Sequence, residues 1–454
     1  MKSVVFGHRR GARRGRGSAG SLDAALAPAR AAGHGHVPKK FNFTRDVVEE
    51  LGKEPKRQAL AFVGNDGVIE HCTFLQLAQG AARWAALLRK HGVGPGDRVL
   101  VLEAASPDWV EIMLAGIKVG AVTVPCAPTL SAAALDIRIS SSRAKLVVAA
   151  RAAETELILT AHHTPVLYID VARRQIPRLP REARTHDTSA HDPAFIVSTS
   201  GRTNGPRAVL HTHSSTFAAR EHTEHWLDAG LGDVVWCTAR TDSAQALWST
   251  LLGPWSRGAG IVLHDGPLDP VEQFEVLHRL GVTVLCQTPA EYRALADSGQ
   301  LSRFRSARPR RLVSTGECLA EDLIGIFEEE WGLTIHDGYG QAETGIVVGH
   351  DVATGFRAGS IGRPLPGSEL GVIDRNGNEL PTGYEGDLAL RGRPPSLFAA
   401  YWNAPGDTNA AFRGDWYVTG DVAACDEDGF LWLRGRTGDG ITKTAVLWRL
   451  RSAH

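Results

Sequence analysis

The sequence predicts an α/β protein built on parallel sheets, followed by a smaller antiparallel β region. Three observations carry this. Short apolar runs such as "RVLVLEA", "GAVTVP", "KLVVAA" and "VTVLCQ" alternate with stretches of helical spacing. The joints between them are short and rich in glycine, "GVGPGD" among them. After about residue 355 the texture changes to short alternating strands with turn pairs such as Asn376-Gly377.

The elements follow in order. Residues 1–40 are rich in Arg and Gly, with Asp23 the one acid among them. This composition predicts a disordered basic tail, with a targeting peptide or a nucleic-acid arm as the alternatives. No apolar core of a secretory signal is present in it. Thr73 is placed to cap a helix whose apolar face carries Phe74, Leu77, Ala81, Trp84, Ala85 and Leu88. Ser106-Pro107 reads as an N-cap and first helical residue, ahead of Val110, Met113 and Ile117. "DVVWCTA", "AGIVLH" and "RRLVSTG" repeat the strand texture up to about residue 316. No internal repeat is present.

Size and composition set limits. The 454 residues suffice for two or three cored domains. Lys+Arg and Asp+Glu are both 50, so nucleic acid and an anionic membrane surface are not expected partners. The longest apolar stretch, 109–127, is broken by Glu111 and Lys118 and is not expected to span a bilayer. Six scattered cysteines without a CxxC pair read as reduced thiols of a cytoplasmic protein. His211 and His213, two apart in "HTHSS", would share one face of a strand; a metal pair is the weaker of their two readings.

"IVSTSGRTNGPRAV" (196–209) leads a buried strand into hydroxyls, glycines and a cation. It is either a plain turn or a loop that wraps an anion. It lacks the Gly-x4-Gly-Lys-Ser/Thr spacing of a Walker loop. Downstream come "STGECL" (314–319), "DGYGQAETG" (337–345), "SIGRPLPG" and "YVTGDVAACDEDGFLWLRGR". In this order they resemble the adenylate-forming (AMP-binding) superfamily over roughly residues 41–440, and within it the medium-chain and aromatic acyl-CoA synthetases. The opening stretch then is similar to that family's phosphate loop.

The resemblance implies a large N-terminal adenylate-forming domain over 41–434, its β-rich part starting at about 355, and a hinge at 435–440. It implies activation of a carboxylic acid by ATP to acyl-AMP, then thioester formation with coenzyme A: an acid–thiol ligase of fatty acid metabolism. Thr199, Ser200, Gly201, Thr203 and Gly205 would donate to the β- and γ-phosphates, and Arg207 would hold the departing pyrophosphate. Tyr339 would stack on adenine, with Asp337 and Gly338 along one edge and Gly316 and Glu317 along the other. Gly340, Gln341 and Thr344 complete the nucleotide motif. Glu343 would ligate Mg²⁺ and, with Arg207, serve catalysis. Asp421 and Arg436 would hold the ribose hydroxyls. Trp248, in "ARTDSAQALWSTLLGPWSRGA", is the candidate wall of the acid pocket, with a core aromatic as the other reading.

The sequence departs from the family pattern at Arg202, Asn204, Ala342 and Gly438. Residues 441–454 do not resemble the start of the family's C-terminal α+β domain, so that domain is expected to be absent and thioester formation impaired. Lys443 does not match its catalytic lysine. The alternatives are an inactive nucleotide-binding remnant and an adenylation domain serving a carrier protein. A homo-oligomer is compatible with the sequence.

Overall fold

The computed structural model describes residues 37–199, 207–267, 269–351 and 355–436. Most of the basic tail, the centre of the 196–209 stretch, the last hinge residues and the 441–454 segment therefore lie outside the described residues. The chain has joined the fold by Lys39, whose carbonyl accepts from the Ala190 N–H, and Lys40 Nζ donates to the Asp187 carbonyl.

The helices begin where the side chains dictate. Thr73 caps the Phe74–Lys90 helix through a reciprocal pair with Gln76. Ser106 Oγ accepts from the Trp109 N–H at 3.1 Å, and Pro107 opens the Pro107–Val119 helix. These two helices approach closely. A Cβ added at Gly80 would meet Glu111 Oε1 at 1.9 Å, so only glycine permits the contact. Their apolar faces share one core with strands of both large sheets, from Leu60 and Ile261 to Val99, Val101 and Phe195. The helices are thus a middle layer.

One large sheet has nine strands. Its order is Arg363–Pro364, Gly345–Gly349, Ile335–Gln341, Arg311–Thr315, Val284–Gln287, Val234–Cys237, Gly260–His264, Gln58–Val63 and Ile69–Thr73. The second has seven: Ala400–Tyr401, Ala208–Thr212, Pro193–Ser198, Val122–Cys126, Arg98–Leu102, Leu146–Ala149 and Val166–Tyr168. Both are parallel in their interior, as the sequence predicts. Both also carry antiparallel strands toward an edge: Ile69–Thr73 at one edge of the first with Gly345–Gly349 and Arg363–Pro364 at its other, and Ala208–Thr212 and Ala400–Tyr401 on the second. An edge strand joined by a short turn needs no crossover helix and can run back.

The β-rich part forms the third sheet. Leu370–Ile373, Glu385–Arg391, Trp416–Cys425 and Phe412–Arg413 follow in that order, and Leu431–Arg436 pairs with Trp416–Cys425. All of its pairings are antiparallel. Asn376-Gly377 makes the expected turn, with Gly377 at φ +85°.

Candidate functional site

A cleft of about 1130 Å³ opens where the three sheets meet. Its walls are the carboxyl ends of parallel strands: Cys126, Ser198, Cys237, Gln287 and Thr315 each end one and each face the cleft. Ligands of open α/β sheets bind at such ends. Thr199, Arg207, Trp248, Gly316, Gly340, Gln341, Glu343 and Arg436 also line it. Of the expected site residues, these are the ones the fold brings together on its wall.

Others stand behind the wall. Asp421 is buried and is the strand partner of Arg436, so both side chains share a face. Arg436 Nε donates to Asp421 Oδ1 at 3.0 Å. Asp421 Oδ2 accepts from the Tyr339 hydroxyl at 2.6 Å and from Gln341 Nε2 at 3.1 Å. Tyr417 Oη in turn donates to Gln341 Oε1 at 2.9 Å. The carboxylate is held from three sides, with acceptor capacity left on Oδ1. Tyr339 is buried in the core rather than bare to the cleft, and its phenol is pushed well up by burial and by Asp421.

Asp337 and Gly338 also lie behind. The Trp226 indole N–H donates to the Asp337 carbonyl at 3.2 Å, and a Cβ on Gly338 would strike that ring at 2.5 Å. Burial pushes the Asp337 carboxyl up to about 7. Thr344 is buried, its Oγ1 accepting from the Gln341 N–H at 3.0 Å. Gly316, at φ +97°, turns the chain along the cleft, while Glu317 is exposed and off its wall.

At the other end of the motif Glu343 is 8% exposed. Burial raises its carboxyl above the usual range. The Tyr401 hydroxyl donates to Glu343 Oε1 at 2.8 Å and opposes that rise. The Tyr401 phenol is itself pushed up to about 12 by burial and by Glu343, so it stays a donor. Arg207 lies over the Tyr401 ring at 4.9 Å, with Asp407 3.9 Å from its Nε. Cation, phenol and carboxylate thus form one cluster at the cleft.

Ser200, Gly201, Thr203 and Gly205 lie outside the described residues; the neck of their loop does not. The Thr199 N–H donates to the Arg207 carbonyl at 2.9 Å, and the Arg207 N–H to Thr199 Oγ1 at 3.0 Å. Two antiparallel strands, Pro193–Ser198 and Ala208–Thr212, carry this neck.

Trp248 sits in a wide helical turn, Ala246–Leu252. Its indole is edge-on to His211 at 5.1 Å and to Phe195 at 5.5 Å. It divides the cleft from a cavity of about 50 Å³ lined by Phe217, His222, Ile346 and Leu365. Trp248 is therefore both core aromatic and wall. Burial holds His211 down at about 4, so it is neutral and its Nε2–H donates to the Ala342 carbonyl at 2.7 Å. The expectation that His211 and His213 share a strand face is corrected. His211 is on the strand, but His213 opens the His213–His222 helix and leaves that face. Among the described residues no group of three or more His, Cys, Asp or Glu could hold a metal ion.

Two cleft residues escape sequence reasoning. Tyr401 reaches Glu343 because Ala400–Tyr401 pairs with Ala208–Thr212. Arg138 lines the cleft and its Nη1 donates to Ser198 Oγ, at the entry to the loop. Tyr401 lies in an aromatic run, "LFAAYWN", which is a weak signal; Arg138 has none.

Residues 48–402 match the family described as AMP-binding enzyme. The mouse mitochondrial acyl-coenzyme A synthetase ACSM5 is 32% identical over 435 residues, covering 90% of this chain and 75% of that protein. An acyl-CoA synthetase of Brucella canis superimposes with a TM-score of 0.84 at 26% identity, covering 92% of this chain and 80% of that one. An anthranilate CoA ligase, solved with anthranoyl-AMP, gives 0.80 at 25% identity over 89% of this chain and 78% of its own. Among the described residues no helix is long and apolar enough to cross a membrane.

Proposed function

The chain belongs to the AMP-binding family of acyl-CoA synthetase-type ligases, which use ATP and coenzyme A, and from this premise we propose that it activates a medium-chain or aromatic carboxylic acid in the cytoplasm with Mg²⁺. One observation carries the site assignment: Arg207, Tyr401 and Glu343 stand together on the same cleft as the aromatic wall of Trp248. An aromatic acid is favoured because the neighbour solved with anthranoyl-AMP shares this fold, and because the Trp248 indole, braced edge-on by His211 and Phe195 behind it, gives the cleft an apolar wall.

The physical problem is the meeting of two anions, the carboxylate and the α-phosphate of ATP. Fixed cations and dipoles must be in place beforehand. Arg207 and Arg138 are the cations nearest the loop neck. Arg207 takes the charge of the departing pyrophosphate; Arg138 orients Ser198 at the start of the loop. Thr199 keeps its hydroxyl proton free for a phosphate oxygen, since its Oγ1 accepts from the Arg207 N–H. Glu343 suits Mg²⁺, which takes one or two carboxylates and fills its shell with phosphate oxygens and water. Bound there, the ion would supply charge against the phosphates. Tyr401 meanwhile fixes one oxygen of Glu343 and lowers its proton affinity. Gly340 presents its backbone to the nucleotide, Gln341 braces Asp421 beside it, and Asp421 with Arg436 takes the ribose hydroxyls. Asp337, Gly338 and Tyr339 shape this wall from behind, as Thr344 does through Gln341; Gly316 closes the far side.

The test is carboxylate-dependent ATP–pyrophosphate exchange over a panel of acids, with and without Mg²⁺. Benzoate-like and medium-chain acids should support exchange best. Exchange driven only by acetate, or equally without a divalent ion, would overturn the proposal.

A further inference from the structure

Two thiols lie side by side at the floor of the cleft. Cys237 ends one parallel strand, Cys286 is the last but one of its neighbour, and the two are register partners, so they project to the same side of the sheet. Neighbouring strands are about 4.8 Å apart, within the Cα separation of roughly 4.4–6.8 Å that a disulfide spans. Each thiol is the strongest influence on the other. Their proximity holds the Cys237 thiol below its ordinary value while the Cys286 thiol is pushed well up. The other cleft cysteine, Cys126, has no such partner, and burial pushes it up to about 12. Gln245, which also lines the cleft, donates from Nε2 to Cys286 Sγ at 3.7 Å.

We propose that Cys237 and Cys286 are an oxidative modification site, a dithiol that a small peroxide reaching the cleft converts to a disulfide. The Cys237 sulfur attacks one peroxide oxygen, the O–O bond breaks, and one water leaves with the thiol proton. The Cys286 sulfur then attacks the resulting sulfenic acid, the S–O bond breaks, and a second water leaves. Two thiols lose two electrons and the peroxide gains them. Side chains opposite each other on parallel strands stand slightly wider than a relaxed disulfide, so the bond draws the strand ends together and is readily reduced. It also moves the sulfur on which Gln245 rests and so shifts the wall beside Trp248. This link to acid activation rests on the cleft assignment proposed above.

The experiment treats the full chain with hydrogen peroxide, blocks remaining thiols by alkylation, and reads intact mass and a peptide map. The parent should lose the mass of two hydrogen atoms and yield a Cys237–Cys286 cross-linked peptide, reversed by dithiothreitol. C237S and C286S should each fail to form it. Full alkylation of both cysteines, a stable oxygen adduct, or a cross-link to Cys126 or Cys318 instead would overturn the assignment. Pyrophosphate exchange should fall in proportion to the cross-linked fraction and return on reduction; cross-linking with unchanged exchange would overturn the coupling to the cleft. A reduced protein with no exchange at all would count against the proposed function, while the mass result still decides the disulfide.

Discussion

Asp421→Asn keeps the shape of the side chain and removes its charge. In the folded protein the carboxylate accepts three bonds, at 3.0 Å from Arg436, 2.6 Å from Tyr339 and 3.1 Å from Gln341. An amide can serve only one side as acceptor. The side-chain exposure of Arg436 is 53%, so it can turn to water, and the amide NH₂ should settle there. Tyr339 and Gln341 then keep neutral bonds in place of charged ones. Charge-assisted bonds are about twice as strong as neutral ones, so the fold should lose roughly 1–3 kcal/mol. That loss is read by urea unfolding without ligand. Nucleotide binding should suffer separately, because the remaining acceptor on Oδ1 is replaced by a donor. A bond to a charged group is worth roughly 1.5–3 kcal/mol, which weakens AMP binding about tenfold to a hundredfold. Isothermal titration of the folded variant measures it. Weakened stability with AMP affinity unchanged would refute the ribose role and leave Asp421 as the anchor of Tyr339.

Tyr401→Phe should strip Glu343 of its donor and raise that carboxyl further; the acid limb of the exchange-rate profile should then move to higher pH, and an unmoved limb would count against the cluster. Asp337→Asn tests the buried carboxyl at about 7. The folded parent holds a proton there that the unfolded chain releases near pH 4, so the parent loses stability as pH rises from about 4 to about 7. The variant does not titrate, so relative to the parent it should gain stability across that window and hold a constant difference above it, as denaturant midpoints at several pH values will show. Trp248→Ala should merge the cleft with the 50 Å³ cavity behind it and shift kcat/KM toward longer acids, at a cost of about 3–5 kcal/mol in stability; an unchanged length profile would remove Trp248 from the acid pocket.

Local physics made most of the fold legible. Thr73 and Ser106 cap the helices the spacing assigns them, and the apolar runs from "RVLVLEA" to "RRLVSTG" are the interior strands. Motif order made the family legible, because each motif is short and continuous. What local reasoning could not reach is set by contacts between segments distant in the chain. Tyr401 meets Glu343 across 58 residues and Arg138 meets Ser198 across 60. Neither distance leaves a period or a spacing to read. The same holds for Cys237 and Cys286, which are neighbours only because their strands are adjacent. The His211–His213 expectation failed for a different reason: a strand ended one residue earlier than its pattern suggests, and the face changed with it.

A strand pairing of only two residues ties two chemical tasks together. Tyr401 is the register partner of Val209, two residues beyond Arg207 at the loop neck, and the Phe398 N–H donates to the Glu343 carbonyl at 2.7 Å. A single rigid strut therefore runs from the neck through Tyr401 to the main chain and side chain of Glu343. A hydrogen bond survives displacement by only a few tenths of an ångström. Whatever seats the neck also sets the donor of Glu343, and a ligand that leaves the neck displaced leaves that carboxylate without its phenol.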